Sequence, residues 1–358
     1  MLIVDDSAFM RRILSDIINS NEGLEVIEIA KNGKEATAKL EKLQVDVVTM
    51  DVEMPIMDGI KCLEWIMENK PLPVVMLSSL TKKGADATLK ALELGAVDFI
   101  TKPTNIFKMN NDDVQREVTE KIKVASQVRI EKKASIKRAY KTKVNGTKSV
   151  HKPKVHTTKD IHKTFNNKSN KIIVVGTSTG GPRALQYVIP DIQKNIKGSL
   201  LIVQHMPPGF TKSLAKRLND LSEISVKEAQ DNDILMAGCA YIAPGDRHMK
   251  IKKVGGKYKI QLSQDRPVSG HRPSVDVLFD SAANEVTTDM LGVIMTGMGS
   301  DGAKGMVNLK SKGAITIAQD EESCVVYGMP KSAVNLGCVD KIVSLQDIAD
   351  EINKIVGV

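Results

Sequence analysis

Short apolar runs alternate along this chain with stretches in which apolar residues recur every three or four positions. Leu2-Ile3-Val4 has the pattern of a buried strand and stops at Asp5-Asp6, after which Met10, Ile13, Leu14, Ile17 and Ile18 follow helical spacing. Val26 to Ala30, Val45 to Met50, Val74 to Leu77 and Phe99-Ile100 continue the apolar runs, with helical stretches between them. Such alternation predicts a parallel sheet covered by helices on both faces, over about the first 124 residues. The first strand has only Met1 to Val4 before the acids, which leaves open missing upstream residues or a different start.

From Lys171 a second alternation begins. Ile172 to Val175, Leu200 to Val203, Leu291 to Met295 and Ile315 to Ala318 read as buried parallel strands. Pro182 to Asp191, Thr211 to Leu221 and Ala303 to Lys312 read as helices, and Ala240 to Ser263, with its Pro244-Gly245 and Gly255-Gly256 turns, reads as a hairpin. The expected fold class is therefore α/β twice over. A doubly wound, flavodoxin-like domain spans 1–124, and a second doubly wound, mostly parallel-sheet domain spans 170–358. Residues 125–169 are the expected connection.

That connection changes the reading of the net charge. The chain carries +8, but residues 126–169 hold 13 Lys or Arg against two acids, leaving 38 basic and 41 acidic residues elsewhere. The basic stretch is rich in Thr, Asn and Ser and poor in aromatics, so it lacks the apolar surface to fold alone and reads as a flexible linker. With no helix-turn-helix pattern and no basic patch interleaved with aromatics, no nucleic-acid partner is expected. No apolar run approaches the roughly 18 residues of a membrane span, and no basic leader precedes an apolar stretch. Cys62, Cys239, Cys324 and Cys338 form no CxxC pair. Reduced thiols in a cytoplasmic protein, with no membrane insertion, are the expectation.

Chemistry in a parallel α/β sheet collects beyond the carboxyl ends of its strands. Asp5, Asp6 and Asp51 all fall at such ends, and three converging carboxylates call for a divalent cation; ligation by oxygen alone suits Mg²⁺. Ser78 and Lys102 end the next strands and could meet a phosphoryl group on Asp51. Asp5-Asp6, the run from Asp51 through Glu53-Met54-Pro55 to Asp58-Gly59, Ser78 and Lys102-Pro103 together resemble the response-regulator receiver family. The resemblance implies that Asp51 accepts phosphate and that Asp5, Asp6, Asp51 and the Glu53 backbone carbonyl hold Mg²⁺. It gives Ser78, Phe99 and Lys102 the role of switch residues.

In the second half, Gly176, Ser178 and Gly180 match G-x-S-x-G between a strand and a helix start. The glycines permit a sharp turn that exposes a serine beside backbone N–H groups, although Gly-rich turns of this type also bind phosphate. His205, His248 and His271 are the histidines outside the linker. His205 directly follows a strand and is the expected base, while His248 and His271 lie in turn-rich sequence and are expected at the surface or against substrate. Asp301, after the turn Gly297 to Ser300, is the expected acid; Asp246 and Asp276 are less well positioned. A serine hydroxyl needs a neutral imidazole to take its proton and a carboxylate to orient that imidazole.

Gly176 to Gly181, Val203 to Pro207, Tyr241 to Met249, His271 to Asp276, Thr296 to Gly302, Gln319-Asp320-Glu321 and Gly328-Met329-Pro330 together resemble the catalytic domain of the CheB family of chemotaxis methylesterases. That family commonly has Asn where this chain has Ser300. The resemblance implies Ser178 as nucleophile, His205 as base, Asp301 as orienting acid, and the Thr179 and Met298 backbone N–H groups as oxyanion donors, with no cofactor in this domain. It also implies hydrolysis of glutamate methyl esters on methylated chemoreceptors, deamidation of receptor glutamines, and control by phosphate from a chemotaxis histidine kinase.

Overall fold

The structure is a computed structural model that describes residues 1–102, 112–128, 130 and 171–358. The chain divides into two units, Met1–Lys154 and Val155–Val358. The expected linker lies for its greater part outside the described residues, as does Pro103.

In the first unit the elements alternate as the apolar pattern predicts: β1 (Leu2–Val4), α1 (Ala8–Asn19), β2 (Glu28–Ala30), α2 (Gly33–Leu40), β3 (Val48–Asp51), α3 (Gly59–Asn69), β4 (Val74–Ser78), α4 (Lys82–Leu94), β5 (Asp98–Thr101) and α5 (Asp112–Ser126). Side chains of Ser7, Asn32, Asp58 and Thr81 accept backbone N–H bonds at the starts of α1 to α4, which fixes where each helix begins. The all-parallel sheet runs β2-β1-β3-β4-β5. Its order reverses between β1 and β3, where a crevice opens at the carboxyl ends. Asp5-Asp6 follow β1 and Asp51 ends β3 at that crevice.

In the second unit the elements are β6 (Lys171–Thr177), α6 (Gly181–Val188), β7 (Gly198–Gln204), α7 (Phe210–Leu221), β8 (Ser225–Glu228), β9 (Cys239–Ile242), β10 (His248–Val254), β11 (Lys257–Ser263), α8 (Val275–Glu285), β12 (Met290–Ile294), α9 (Ala303–Ser311), β13 (Ile315–Gln319), α10 (Met329–Asn335), β14 (Lys341–Val343) and α11 (Ile348–Val356). Among the described residues, seven strands form one sheet in the order β14-β13-β12-β6-β7-β9-β8, with every pairing parallel. The expected hairpin over Ala240–Ser263 resolves into two parts. Its first strand, β9, joins the main sheet, and the hairpin itself is β10–β11 from His248 onward.

Every residue of β6 and β7 is buried, as near-continuous apolar strands covered on both faces must be. Burying each Ile, Leu or Val of such strands contributes about 1.5–3 kcal/mol, so the register of the central strands is firmly held. β6 lies between β7, which follows it in sequence, and β12, which comes much later. The carboxyl ends of these three adjacent strands carry Ser178, His205 and the segment leading to Asp301.

Candidate active site

The turn after β6 is built around close packing. Gly180 has φ +77°, and a Cβ there would lie 2.6 Å from Val325 Cβ, so only glycine fits. Ser178 N–H donates to the Thr296 carbonyl at 3.0 Å, and Gly181 N–H donates back to the Ser178 carbonyl at 2.7 Å. A Cβ on Gly297 would meet Ser178 Cβ at 2.9 Å, so the turn after β12 rests directly against the serine. Met298, next in that turn, has a backbone N–H with no acceptor among the described residues.

Three side chains meet above this turn. Ser178 Oγ–H donates to His205 Nδ1 at 3.1 Å, and His205 Nε2–H donates to Asp301 Oδ2 at 2.8 Å. Because the carboxylate only accepts, it fixes the tautomer and leaves the Nδ1 lone pair facing the serine. Asp301 is 2% exposed and accepts three further bonds, all from the start of α8. Ser274 Oγ–H and Asp276 N–H reach Oδ1 at 2.8 and 3.0 Å, and Val275 N–H reaches Oδ2 at 2.7 Å. A helix amino terminus favours an anion at this point. Burial alone would raise the Asp301 carboxyl, but the hydrogen bond from His205, the charge of a protonated His205 and the Asp276 and Val275 N–H groups outweigh it and hold the pKa at about 2.

The alternative acids are engaged elsewhere. Asp276 accepts from Gly305 N–H at 2.7 Å, and burial raises its pKa. Asp246 is exposed and accepts from Arg272 Nε at 2.9 Å.

Of the two remaining histidines, His248 departs from expectation and the half-buried His271 does not. His248 is fully buried: its Nδ1 accepts from Ser274 N–H at 3.2 Å and its Nε2–H donates to the Arg266 carbonyl at 3.1 Å. It therefore pins the residue that caps α8 and bonds Asp301, and burial lowers its pKa. His271 stacks on the His205 ring, with centroids 3.9 Å apart and planes 14° from parallel.

Gln204 is a residue that sequence patterning passed over. It is 2% exposed, and its Nε2 donates to the carbonyls of both Ser178 (2.9 Å) and His205 (3.1 Å), while its Oε1 accepts from Thr177 Oγ1 at 2.6 Å. One buried amide thus ties the serine turn to the histidine. Gln319 does the same for the turn after β12, accepting from Thr296 N–H and donating to the Ser323 carbonyl, each at 2.8 Å. Each stands at the polar end of a buried apolar strand, which was the signal available in the sequence.

In the receiver-like unit, Asp5 and Asp51 are buried and Asp6 is exposed. A ligand oxygen from each lies within 4.8 Å of the others, a spacing and donor chemistry that fit one hard divalent cation. Lys102 Nζ bridges Asp5 Oδ2 at 2.7 Å and Asp51 Oδ2 at 2.6 Å. Burial pushes the Asp51 carboxyl up to about 6, against the opposing pull of Lys102. Arg11 Nη1 donates to the carbonyls of Asp5 (2.7 Å) and Asp6 (3.1 Å) and shapes the acid loop from behind. Ser78 is buried and turned toward α4, its hydroxyl accepting from Thr88 Oγ1 at 2.6 Å. Phe99 is buried within β5, with Lys121 Nζ 5.3 Å from its ring centre. Glu53 N–H donates to Asp51 Oδ1 at 3.3 Å, so the backbone at 53 borders the pocket.

Each of the two units matches a known protein family. The sequence model of the CheB methylesterase domain matches residues 173–352, and that of the response regulator receiver domain matches residues 1–111. A protein-glutamate methylesterase/protein-glutamine glutaminase of Syntrophomonas wolfei is 45% identical, with 98% of this chain and 97% of that protein aligned. The chain belongs to the CheB methylesterase family. A Salmonella typhi protein of the same name is 44% identical over 98% of this chain and 95% of its own length. The crystal structure of the Thermotoga maritima CheB methylesterase catalytic domain superposes with a TM-score of 0.51 at 46% identity, covering 51% of this chain and 97% of that one. This CheB-family chain is a methylesterase joined to a response-regulator receiver, and among its described residues no helix is long and apolar enough to cross a membrane.

Proposed function

We propose that this protein-glutamate methylesterase and protein-glutamine glutaminase uses Ser178 as its nucleophile, His205 as its general base and Asp301 as the acid that orients His205. The hydrogen-bonded run from Ser178 through His205 to Asp301 carries the reading. Ser178 Oγ attacks the γ-carbonyl of a glutamate methyl ester as its proton passes to His205 Nδ1. The Thr179 and Met298 N–H groups receive the oxyanion, and Asp301 stabilises the imidazolium across 2.8 Å. His205 then returns the proton to the departing methanol, leaving a glutamyl–serine ester. Water, activated by the same imidazole, hydrolyses that ester to glutamate. With a glutamine side chain the leaving group is ammonia and the remaining steps are the same. Replacing Ser178 with Ala should cut methanol release by roughly 10⁴ or more while the fold persists. Near-normal release from that variant would remove Ser178 from the mechanism.

The substrates in this reading are methylated and amidated chemoreceptors, met in the cytoplasm, and the reaction serves chemotactic adaptation. Asp51 is the phosphorylation site, with a chemotaxis histidine kinase as donor and Ser78, Phe99 and Lys102 as the residues that respond. Asp5, Asp6, Asp51 and the Glu53 carbonyl would hold Mg²⁺, which when bound supplies the positive charge that a phosphoryl group and three carboxylates require. Lys102, already within salt-bridge distance of Asp51, is set to pair with the phosphoryl group. Phosphorylation is the signal that raises the esterase rate. Residues 1–124, 125–169 and 170–358 serve as receiver, linker and catalytic domain.

A further inference from the structure

The β10–β11 hairpin carries charge in a way the catalytic machinery does not use. Its sixteen residues, His248 to Ser263, include five lysines and no acid, whereas the rest of residues 171–358 holds seventeen Lys or Arg against twenty acids. The positive charge of this half of the protein is thus concentrated on one hairpin. Alternation along paired strands sorts the lysines by face. Met249, Ile251 and Ile260 are buried on one face, where Ile251 N–H bonds Ser281 of α8 and Lys253 Nζ bonds Thr287 at 2.8 Å. Lys250, Lys252, Lys257 and Lys259 share the other face.

On that face Lys252 is paired directly opposite Lys259, a like-charge pair that destabilises a hairpin. Lys250 is neutralised by Asp265 at 2.6 Å, but no carboxylate among the described residues bridges Lys252, Lys257 or Lys259. The lysine face is also the one toward which His248 turns, and the His248 ring holds Ser274 beside Asp301. From the same end, where Ser263 pairs with His248, the chain runs on into the segment whose His271 stacks on His205. Lys252 lies four residue steps along the strand from His248, about 13 Å at 3.3 Å per step, or roughly nine residues of a helical substrate.

We propose that the lysine face of this hairpin docks acidic residues flanking the scissile glutamyl ester in the protein substrate. The inference rests on the reading that the substrate is a protein glutamate ester or glutamine. That chemistry supplies the complementary charge, because every turnover leaves a carboxylate where a neutral ester or amide stood. A surface carrying several such sites becomes more acidic as the reaction proceeds, and open lysines beside the site retain it.

The test compares whole-chain wild type with the triple variant Lys252→Met, Lys257→Met, Lys259→Met. Both are assayed on a methylated soluble chemoreceptor fragment and on a small glutamate γ-methyl ester, at low and high salt. The expected result is a KM for the receptor fragment raised about tenfold in the variant, with kcat and small-ester hydrolysis unchanged. The KM of the wild type should rise with salt and that of the variant should not. An unchanged receptor KM in a variant that still cleaves the small ester overturns the docking role. So does a variant that loses binding to anionic phospholipid vesicles while keeping its receptor KM, since that assigns the lysines to a lipid surface. Wild type that cleaves the small ester but releases no methanol from the receptor fragment instead sinks the substrate reading itself, and the docking role with it.

Discussion

Replacing Asp301 with Asn removes one charge and converts one of two acceptor oxygens into a donor, where four donors converge. The carboxylate accepts Ser274 Oγ–H and Asp276 N–H on Oδ1, and Val275 N–H and His205 Nε2–H on Oδ2. An amide has two ways to sit. With its NH₂ at the Oδ2 position it opposes the Val275 N–H and forces His205 into the tautomer that points Nδ1–H at Ser178. With its NH₂ at the Oδ1 position it opposes only the Asp276 N–H, because the Ser274 hydroxyl can rotate and accept. The second arrangement wins and keeps the productive tautomer. It leaves one buried N–H unmet, at a cost of about 1–3 kcal/mol.

The pH dependence follows from the depressed pKa. A carboxyl held at about 2 in the fold, against 3.8 for the free side chain, stabilises the protein by roughly 2 kcal/mol above pH 4. That contribution is lost as pH falls from about 4 to about 2, and Asp301→Asn has none to lose. The stability difference between wild type and variant should therefore be largest at neutral pH and shrink toward pH 2. Urea unfolding followed by far-UV circular dichroism measures it, and the fluorescence of Trp65, the one tryptophan of the chain, reports the receiver separately. Ester hydrolysis should fall by about 10² to 10³. That is less than the roughly 10⁴ of a triad locked in the wrong tautomer, because here only the charge facing the imidazolium is gone. A stability difference that stays constant from pH 7 to pH 2, or a rate loss of 10⁴ or more, would refute this account of the Asp301 contacts.

In the receiver, Asp51→Asn should abolish acid-labile labelling by acetyl phosphate with Mg²⁺, and with it the rise in ester hydrolysis that the phosphodonor is expected to produce in wild type. Because burial raises the Asp51 carboxyl to about 6, the folded receiver carries that charge at a cost above this pH, so the same variant should melt higher than wild type at pH 7.5 without Mg²⁺; an unchanged or lower midpoint counts against the assigned cause. Gln204→Met removes the amide that ties the Ser178 and His205 carbonyls together. It should lower kcat about 10-fold or more with little change in KM and cost about 1–3 kcal/mol of stability; a KM effect alone would mean that Gln204 acts on substrate and not on the serine–histidine geometry.

The strand pattern of the sequence carried the architecture a long way. Continuous apolar runs at Ile172 to Val175 and Leu200 to Val203 can only be strands buried on both faces, and chemistry in such sheets belongs at their carboxyl ends. Asp5, Asp51, Ser178 and His205 all follow directly from that rule. Elements with weaker apolar signatures escaped it. β8, with Ser225-Val226-Lys227-Glu228, and β14, with Lys341-Ile342-Val343, are edge strands of three or four residues whose exposed positions break the run. α8 was legible and was passed over: Val275, Leu278, Phe279, Ala282 and Ala283 recur at helical spacing behind Ser274, whose side chain caps the helix.

The sequence by itself determined the two α/β units, the serine turn and the set of acids at the first sheet's crevice, because local spacing and turn chemistry are written into neighbouring residues. It also put His205 and Asp301 ahead of His248, His271, Asp246 and Asp276 as partners of Ser178, because each follows a strand or the turn after one. Only the tertiary structure brings the three together, because the order β12-β6-β7 sets residues 178, 205 and 301 side by side across more than 120 positions of chain. The same long-range packing buried His248, which reads as a surface or substrate-contacting histidine, and turned it into a support for Asp301. It also sorted the lysines of β10 and β11 onto one open face, since cross-strand register, unlike composition, exists only once the strands have paired.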